Sequence, residues 1–182
     1  MRGLRTLCAV FMAALAGAAA KAQPQPQPSS LRDLLVQYRC PVVDRLDRIY
    51  EAGDHASHRG RFLALTVPEH PHGYVQCIFF ERRTRMLCEA SSGFYYDKPG
   101  EPRTTRLAPE AVAALGRLGF STDDSAGNFS IEFDVASPPD LNAIADFMLK
   151  ALHDGYGARA GTKLHFSAPF ARRPTTKCIP VS

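Results

Sequence analysis

The chain has 182 residues, 45% of them hydrophobic, with 22 Lys and Arg against 18 Asp and Glu. That is the length of one domain with a single modest core. Arg2, Arg5 and Lys21 fall in the first 22 positions, so beyond them 19 bases face 18 acids, which excludes the cationic surplus of a nucleic-acid footprint.

In chain order, Met1 to Ala22 reads as a secretory signal. Arg2 and Arg5 make a positive n-region, Leu7 to Ala20 is apolar, and Ala20-Lys21-Ala22 is an A-x-A cleavage site before Gln23. As a helix the apolar run spans only about 21 Å, short of the roughly 30 Å hydrocarbon core, so the membrane enters only through the export signal. Cys8 lacks the small neighbours of a lipoprotein signal. The mature chain is expected in the periplasm or outside the cell. Residues 23–30, QPQPQPSS, form an extended spacer, because alternate prolines remove the donors a helix or central strand needs.

Ser30 and Asp33 have capping-box spacing. Leu31, Leu34, Leu35, Tyr38, Val42, Leu46, Ile49 and Tyr50 keep a helical period as far as Gly53. Pro41 interrupts it and predicts a kink or two abutting helices near Cys40. His55, His58, His70 and His72 invite a metal hypothesis, but no carboxylate or cysteine spacing completes a recognised site. Neither a metal nor another cofactor is expected.

Arg61 to Val67 reads as a strand ended by Pro68. Tyr74 to Glu81 and Met86 to Ser91 then read as a β-hairpin around a charged turn. Strand alternation puts Val75, Cys77 and Phe79 on one face with Met86, Cys88 and Ala90, an apolar side for helices to cover. The other face carries Tyr74, Gln76, Ile78 and Phe80 with Leu87 and Glu89, and is expected to stay partly open. Leu107 to Leu118 is a helix with Pro109 in its first turn and Gly119 as its stop. Asn128 to Val135, NFSIEFDV, is a half-buried strand. Ser137-Pro-Pro-Asp140 reads as a capping box with proline at the first helical position, opening a helix through Leu141, Ile144, Ala145, Met148, Leu152 and Tyr156 that Gly155 and Gly157 stop. Residues 158–182 read as an irregular basic tail, with a short strand suggested at Lys163 to Phe166. The fold class is α+β, an antiparallel sheet with helices packed on one face, in the order α-β-β-β-α-β-α.

Four cysteines follow the signal, and an exported chain pairs them as disulfides. Cys40, Cys77, Cys88 and Cys178 allow three connectivities, of which Cys77 with Cys88 and Cys40 with Cys178 is favoured. The first pair lies directly opposite if the turn is just Arg82-Arg83, although Arg-Arg is a poor two-residue turn. A four-residue loop is expected to offset the sulfurs to a diagonal near 7 Å. No nucleophile elbow, phosphate loop or metalloprotease helix is present. A thiol hydrolase built on Cys77 or Cys88 and a histidine, with Ser91, Ser92 and Asp97 nearby, is the weaker alternative to a non-enzyme, because buried hairpin cysteines are more often structural.

The segments LAPEAVAALGRLGF, NFSIEFDV and DLNAIADFMLKALHDGYG, with the hairpin YVQCIFF and MLCEASSGFYY, resemble the small α+β domain shared by YbjN-like proteins and the type III secretion chaperone-like group, TY-Chap. The likeness covers residues 31–157. It implies a type III secretion chaperone-like fold and a non-enzymatic domain, often a homodimer, that presents its surface to an unidentified extended peptide or partly unfolded protein. Tyr74, Ile78 and Phe80 are the residues expected to meet that peptide or a dimer partner. The alternative is a small disulfide-stapled inhibitor or assembly factor of the envelope that binds one folded partner. Secretion chaperones are typically cytosolic and acidic, whereas this chain has an export signal, a near-neutral balance and four mature cysteines.

Overall fold

A computed structural model describes residues 30–52, 60–70, 72–96 and 106–172. The signal, most of the spacer, His55, His58, Asp97 and Cys178 lie outside the described residues, and so does the Cys40–Cys178 pairing.

Helix α1 runs Leu31–Glu51. Its capping box is as expected: Asp33 N–H donates to Ser30 Oγ at 3.3 Å and Ser30 N–H donates to Asp33 Oδ2 at 2.9 Å. The hydrogen bonds from Ser30 hold the Asp33 carboxyl below its ordinary range. Of the two outcomes expected at Pro41, the pair of abutting helices is corrected, since α1 is one continuous helix with Pro41 inside it. The missing amide costs a helix about 3 kcal/mol. Burial of Leu34, Val42, Leu46 and Ile49 along one stripe offsets it, at about 1.5–3 kcal/mol per large apolar side chain.

The strands are β1 (Phe62–Val67), β2 (Gly73–Phe80), β3 (Arg85–Ala90), β4 (Phe129–Asp134) and β5 (His165–Ser167), and the further helices are α2 (Pro109–Arg117) and α3 (Leu141–Tyr156). The strands form one antiparallel sheet in the order β4-β3-β2-β1-β5. α1 and α3 pack together on one face of it, with α2 against α3. The tail beyond residue 157 contributes more than irregular chain. Its strand β5 pairs Phe166 with Leu65 on the β1 edge, and Phe166 turns to the helix side, 6.1 Å from the Tyr38 ring and 4.2 Å beneath the Arg45 guanidinium.

The hairpin turn corrects the disulfide geometry. Phe80 and Arg85 close the ladder, leaving Glu81 to Thr84 as a four-residue loop, yet Cys77 still pairs directly with Cys88. Adding one residue to each side of Arg82-Arg83 lengthens both strands' approach equally, so the register does not slip. The Cα atoms are 4.1 Å apart and the sulfurs are bonded, close to the spacing of a non-hydrogen-bonded cross-strand pair. The loop takes Glu81, Arg82 and Arg83 through positive φ of 45°, 56° and 69°, a backbone that costs about 1 kcal/mol or more per non-glycine residue. Two contacts hold it there: Thr84 Oγ1 donates to the Glu81 carbonyl at 2.7 Å, and Arg83 Nη1 donates to the Tyr50 carbonyl at 2.7 Å with its guanidinium over the Tyr50 ring.

The start of α3 is also corrected. The N-cap is Asp140, whose carboxylate accepts from Ala143 N–H at 3.0 Å, and not Ser137. Asp140 accepts this bond from directly beside the first turn, and both prolines precede the helix. Gly157, at φ 70°, ends α3, whereas Gly155 lies inside it and is buried. Leu115 of α2 explains the glycine at 155, because a Cβ there would lie 3.0 Å from Leu115 Cδ2.

Candidate functional site

The alternation read in the hairpin holds residue by residue: Val75, Cys77, Phe79, Met86, Cys88 and Ala90 are buried, while Tyr74, Gln76, Ile78, Phe80, Leu87 and Glu89 are half-buried. The register orders the second set into rows across the uncovered face. One row is apolar, Phe62 of β1 beside Ile78 of β2 beside Leu87 of β3, and it ends on Glu132 of β4. The next row toward the strand ends carries Gln76 and Glu89, joined by a 2.5 Å hydrogen bond from Gln76 Nε2. On the other side Phe80 pairs with Arg85, whose guanidinium lies 5.2 Å from the Phe80 ring centre. Arg85 also reaches Glu132 at 2.7 Å, and Glu81 and Asp134 at 3.7 Å.

Of the three residues expected to meet a partner, Ile78 and Phe80 lie together on this face. Tyr74 shares the face but is set apart. Its hydroxyl accepts a 2.6 Å hydrogen bond from Asn128 Nδ2, and burial pushes its phenol above the ordinary value. Phe62 and Leu87 complete the apolar row, and sequence reasoning did not single them out as site residues. Leu87 lies on the face expected of it, and Phe62 falls in the strand read from Arg61 to Val67, to which the sequence reading gave no faces.

The row runs out at β4, an edge strand. Val135 N–H donates to the Thr84 carbonyl toward β3, while the Ser130 carbonyl accepts from Ser121 N–H on the outer side. Alternation therefore turns the N–H and C=O of Glu132 and Asp134 outward as well. Among the described residues no backbone group bonds them. On the helix side of this edge, Leu118, Ile131, Phe133, Ala143, Ile144 and Phe147 line an apolar groove of 310 Å³.

A larger cavity of 660 Å³ lies between α2 and the end of α3, with His70, Arg117, Lys150, His153, Asp154 and Arg159 among its lining. Three of these groups are engaged with one another. Lys150 Nζ and His153 Nδ1 both bond the Asp154 carboxylate. Burial opposes ionisation of Asp154, but these two hydrogen bonds outweigh it and hold the carboxyl below its ordinary range. Arg159 Nη1 donates to the His153 and Ala158 carbonyls, fixing the chain as it leaves α3.

The hydroxyl groups weighed as nucleophiles hold a turn. Ser92 Oγ donates to the Gly127 carbonyl at 2.7 Å and Ser91 Oγ accepts from Gly93 N–H at 3.4 Å, while the Ser91 carbonyl accepts from the Tyr156 hydroxyl at 2.6 Å. The His70 ring stands edge-on to Tyr156, and the His72 ring stacks on Tyr96 at 3.5 Å. Among the described residues no three histidine, cysteine or acidic side chains come together as a metal set, and no helix is long and apolar enough to cross a membrane.

Neither a curated protein nor a solved structure matches the chain. One family model does, TY-Chap3, described as T3SS (YopN, CesT) and YbjN peptide-binding chaperone 3, over residues 44–170. That span runs from the middle of α1 to just past β5 and takes in every strand of the sheet. With most of its length matched and the α+β architecture in place, the chain belongs to the TY-Chap family of peptide-binding chaperones.

Proposed function

We propose that this is an exported, non-enzymatic chaperone-like domain that holds an extended peptide or partly unfolded protein on the uncovered face of its sheet. The observation that carries the reading is the half-buried row Phe62–Ile78–Leu87, which no helix covers among the described residues and which leads to the outer edge of β4. An extended chain laid along the row gains apolar burial, and the part of it that passes beyond β4 gains main-chain hydrogen bonds from the edge, the term that strand-like recognition uses. The family supports the peptide-binding part. The signal-like first 22 residues support export to the periplasm or beyond, where the Cys77–Cys88 bond and a Cys40–Cys178 bond would persist. A second copy of the chain is the competing occupant of the same face.

The test is the double variant Ile78→Ser, Phe80→Ser, in protein that begins at Gln23. Wild type is expected to suppress light scattering by a thermally unfolding test protein, and the variant to lose at least half of that suppression while its circular dichroism stays unchanged. Sedimentation of both proteins reports whether a homodimer uses this face. A folded variant that suppresses scattering as well as wild type contradicts the assignment. Capture of one folded partner from an envelope extract, with no suppression by wild type, favours an inhibitor or assembly factor instead.

A further inference from the structure

The outer edge of β4 has different chemistry on its two sides, and the difference specifies the sequence of the segment that adds to it. On the helix side, Ile131 and Phe133 project into the apolar groove with Phe147 and Leu118. On the open side the same strand presents Glu132 and Asp134, with side chains 48% and 96% exposed. Among the described residues Arg85 is the cation that reaches both, and it also reaches Glu81, so one guanidinium is shared by three carboxylates. A carboxylate already bonded once has lone pairs left for a second donor. The chain itself shows that the edge is open to backbone pairing: Ser121 bridges to Ser130 in antiparallel pairing for a single residue and then departs, leaving the outward groups of Glu132 and Asp134 beyond it.

Resting on the peptide-binding reading, we infer that the segment added to β4 alternates apolar and basic residues. The two-residue period of a strand sends its apolar side chains into the groove and its Lys or Arg side chains across from Glu132 and Asp134. A second copy of β4 is the wrong occupant. Antiparallel self-pairing centred on Glu132 or Phe133 would set carboxylate against carboxylate, the like-charge juxtaposition that edge strands use to prevent self-association. The partner at this edge is therefore a different chain, basic where β4 is acidic.

The probes are three twelve-residue peptides, one alternating Ile and Lys, one alternating Ile and Glu, and one alternating Ser and Lys, titrated by fluorescence anisotropy against the protein that begins at Gln23. The Ile/Lys peptide is expected to bind at least tenfold more tightly than either of the others. In the variant Glu132→Lys, Asp134→Lys the preference for Lys over Glu is expected to vanish or invert. Asp134→Lys alone, at the more exposed site, is expected to reduce it about threefold and guards against loss of folding in the double variant. Equal binding of the Ile/Lys and Ile/Glu peptides overturns the charge inference and leaves peptide binding standing. Equal binding of the Ser/Lys and Ile/Lys peptides removes the groove from recognition and overturns the alternation. If none of the three binds while wild type still suppresses scattering, the edge inference falls alone; if wild type neither binds them nor suppresses scattering, the inference and the peptide-binding reading fall together.

Discussion

Replacing Cys77 and Cys88 together by alanine is expected to lower the unfolding free energy by about 3 kcal/mol. The bond closes a short loop of sequence separation 11, and the chain-entropy model gives about that figure for a loop near 15 residues. Both cysteines are also buried, at 2% and 0% exposure, so small apolar replacements fit the site while hydroxyls do not. The Cys77→Ser, Cys88→Ser pair is therefore expected to cost at least 1 kcal/mol more than the alanine pair, through polar groups buried against the helices. Urea titration at equal slope reads both differences. An alanine pair within 0.5 kcal/mol of wild type would show that the ladder alone fixes the hairpin.

Gly155→Val is expected to cost about 1–3 kcal/mol. Three Leu115 side-chain atoms would lie 3.0–3.2 Å from a new Cβ at 155, and Leu115 is fully buried, so the branched side chain must push α2 away from α3. Gly155→Ala is expected to be nearly neutral, because the gain in helix propensity of about 1 kcal/mol offsets the crowding of one methyl. Leu115→Ala in the Gly155→Val background should restore part of the loss, and a double-mutant cycle measures the coupling. Additive effects would mean that the two helices do not meet at this pair.

Local signals were the legible ones. Ser30 and Asp33 lie three residues apart and cap α1 as their spacing says, and the hairpin's alternation sorted its residues onto the correct faces because a buried and an open side follow from a period of two. The misplaced details depend on competition between local and tertiary terms. Pro41 could divide α1 into two abutting helices, but the buried stripe of α1 outweighs one lost hydrogen bond and the helix runs on. Ser137 and Asp140 are both capping residues, and the backbone path through two prolines decided between them. In the candidate site, Ile78 and Phe80 came from the hairpin alone. Phe62 needed the register with β2, and the tie between Tyr74 and Asn128 joins residues 54 apart in sequence. That β4 is an edge follows only from the strand order, and the short strand suggested at Lys163 to Phe166, present as the three residues of β5, did not announce its pairing with β1.

The most direct test of peptide binding at the uncovered face and its edge is residue-resolved amide hydrogen exchange by NMR, with and without a saturating Ile/Lys peptide. The N–H groups of Glu132 and Asp134 turn away from β3, and a strand added to β4 would give them acceptors. Their exchange is expected to slow at least tenfold on binding, while the inward-facing amides of Ile131 and Phe133 change little. Binding that leaves Glu132 and Asp134 exchanging at their free rates, with protection at the cavity between α2 and α3 instead, would contradict this placement.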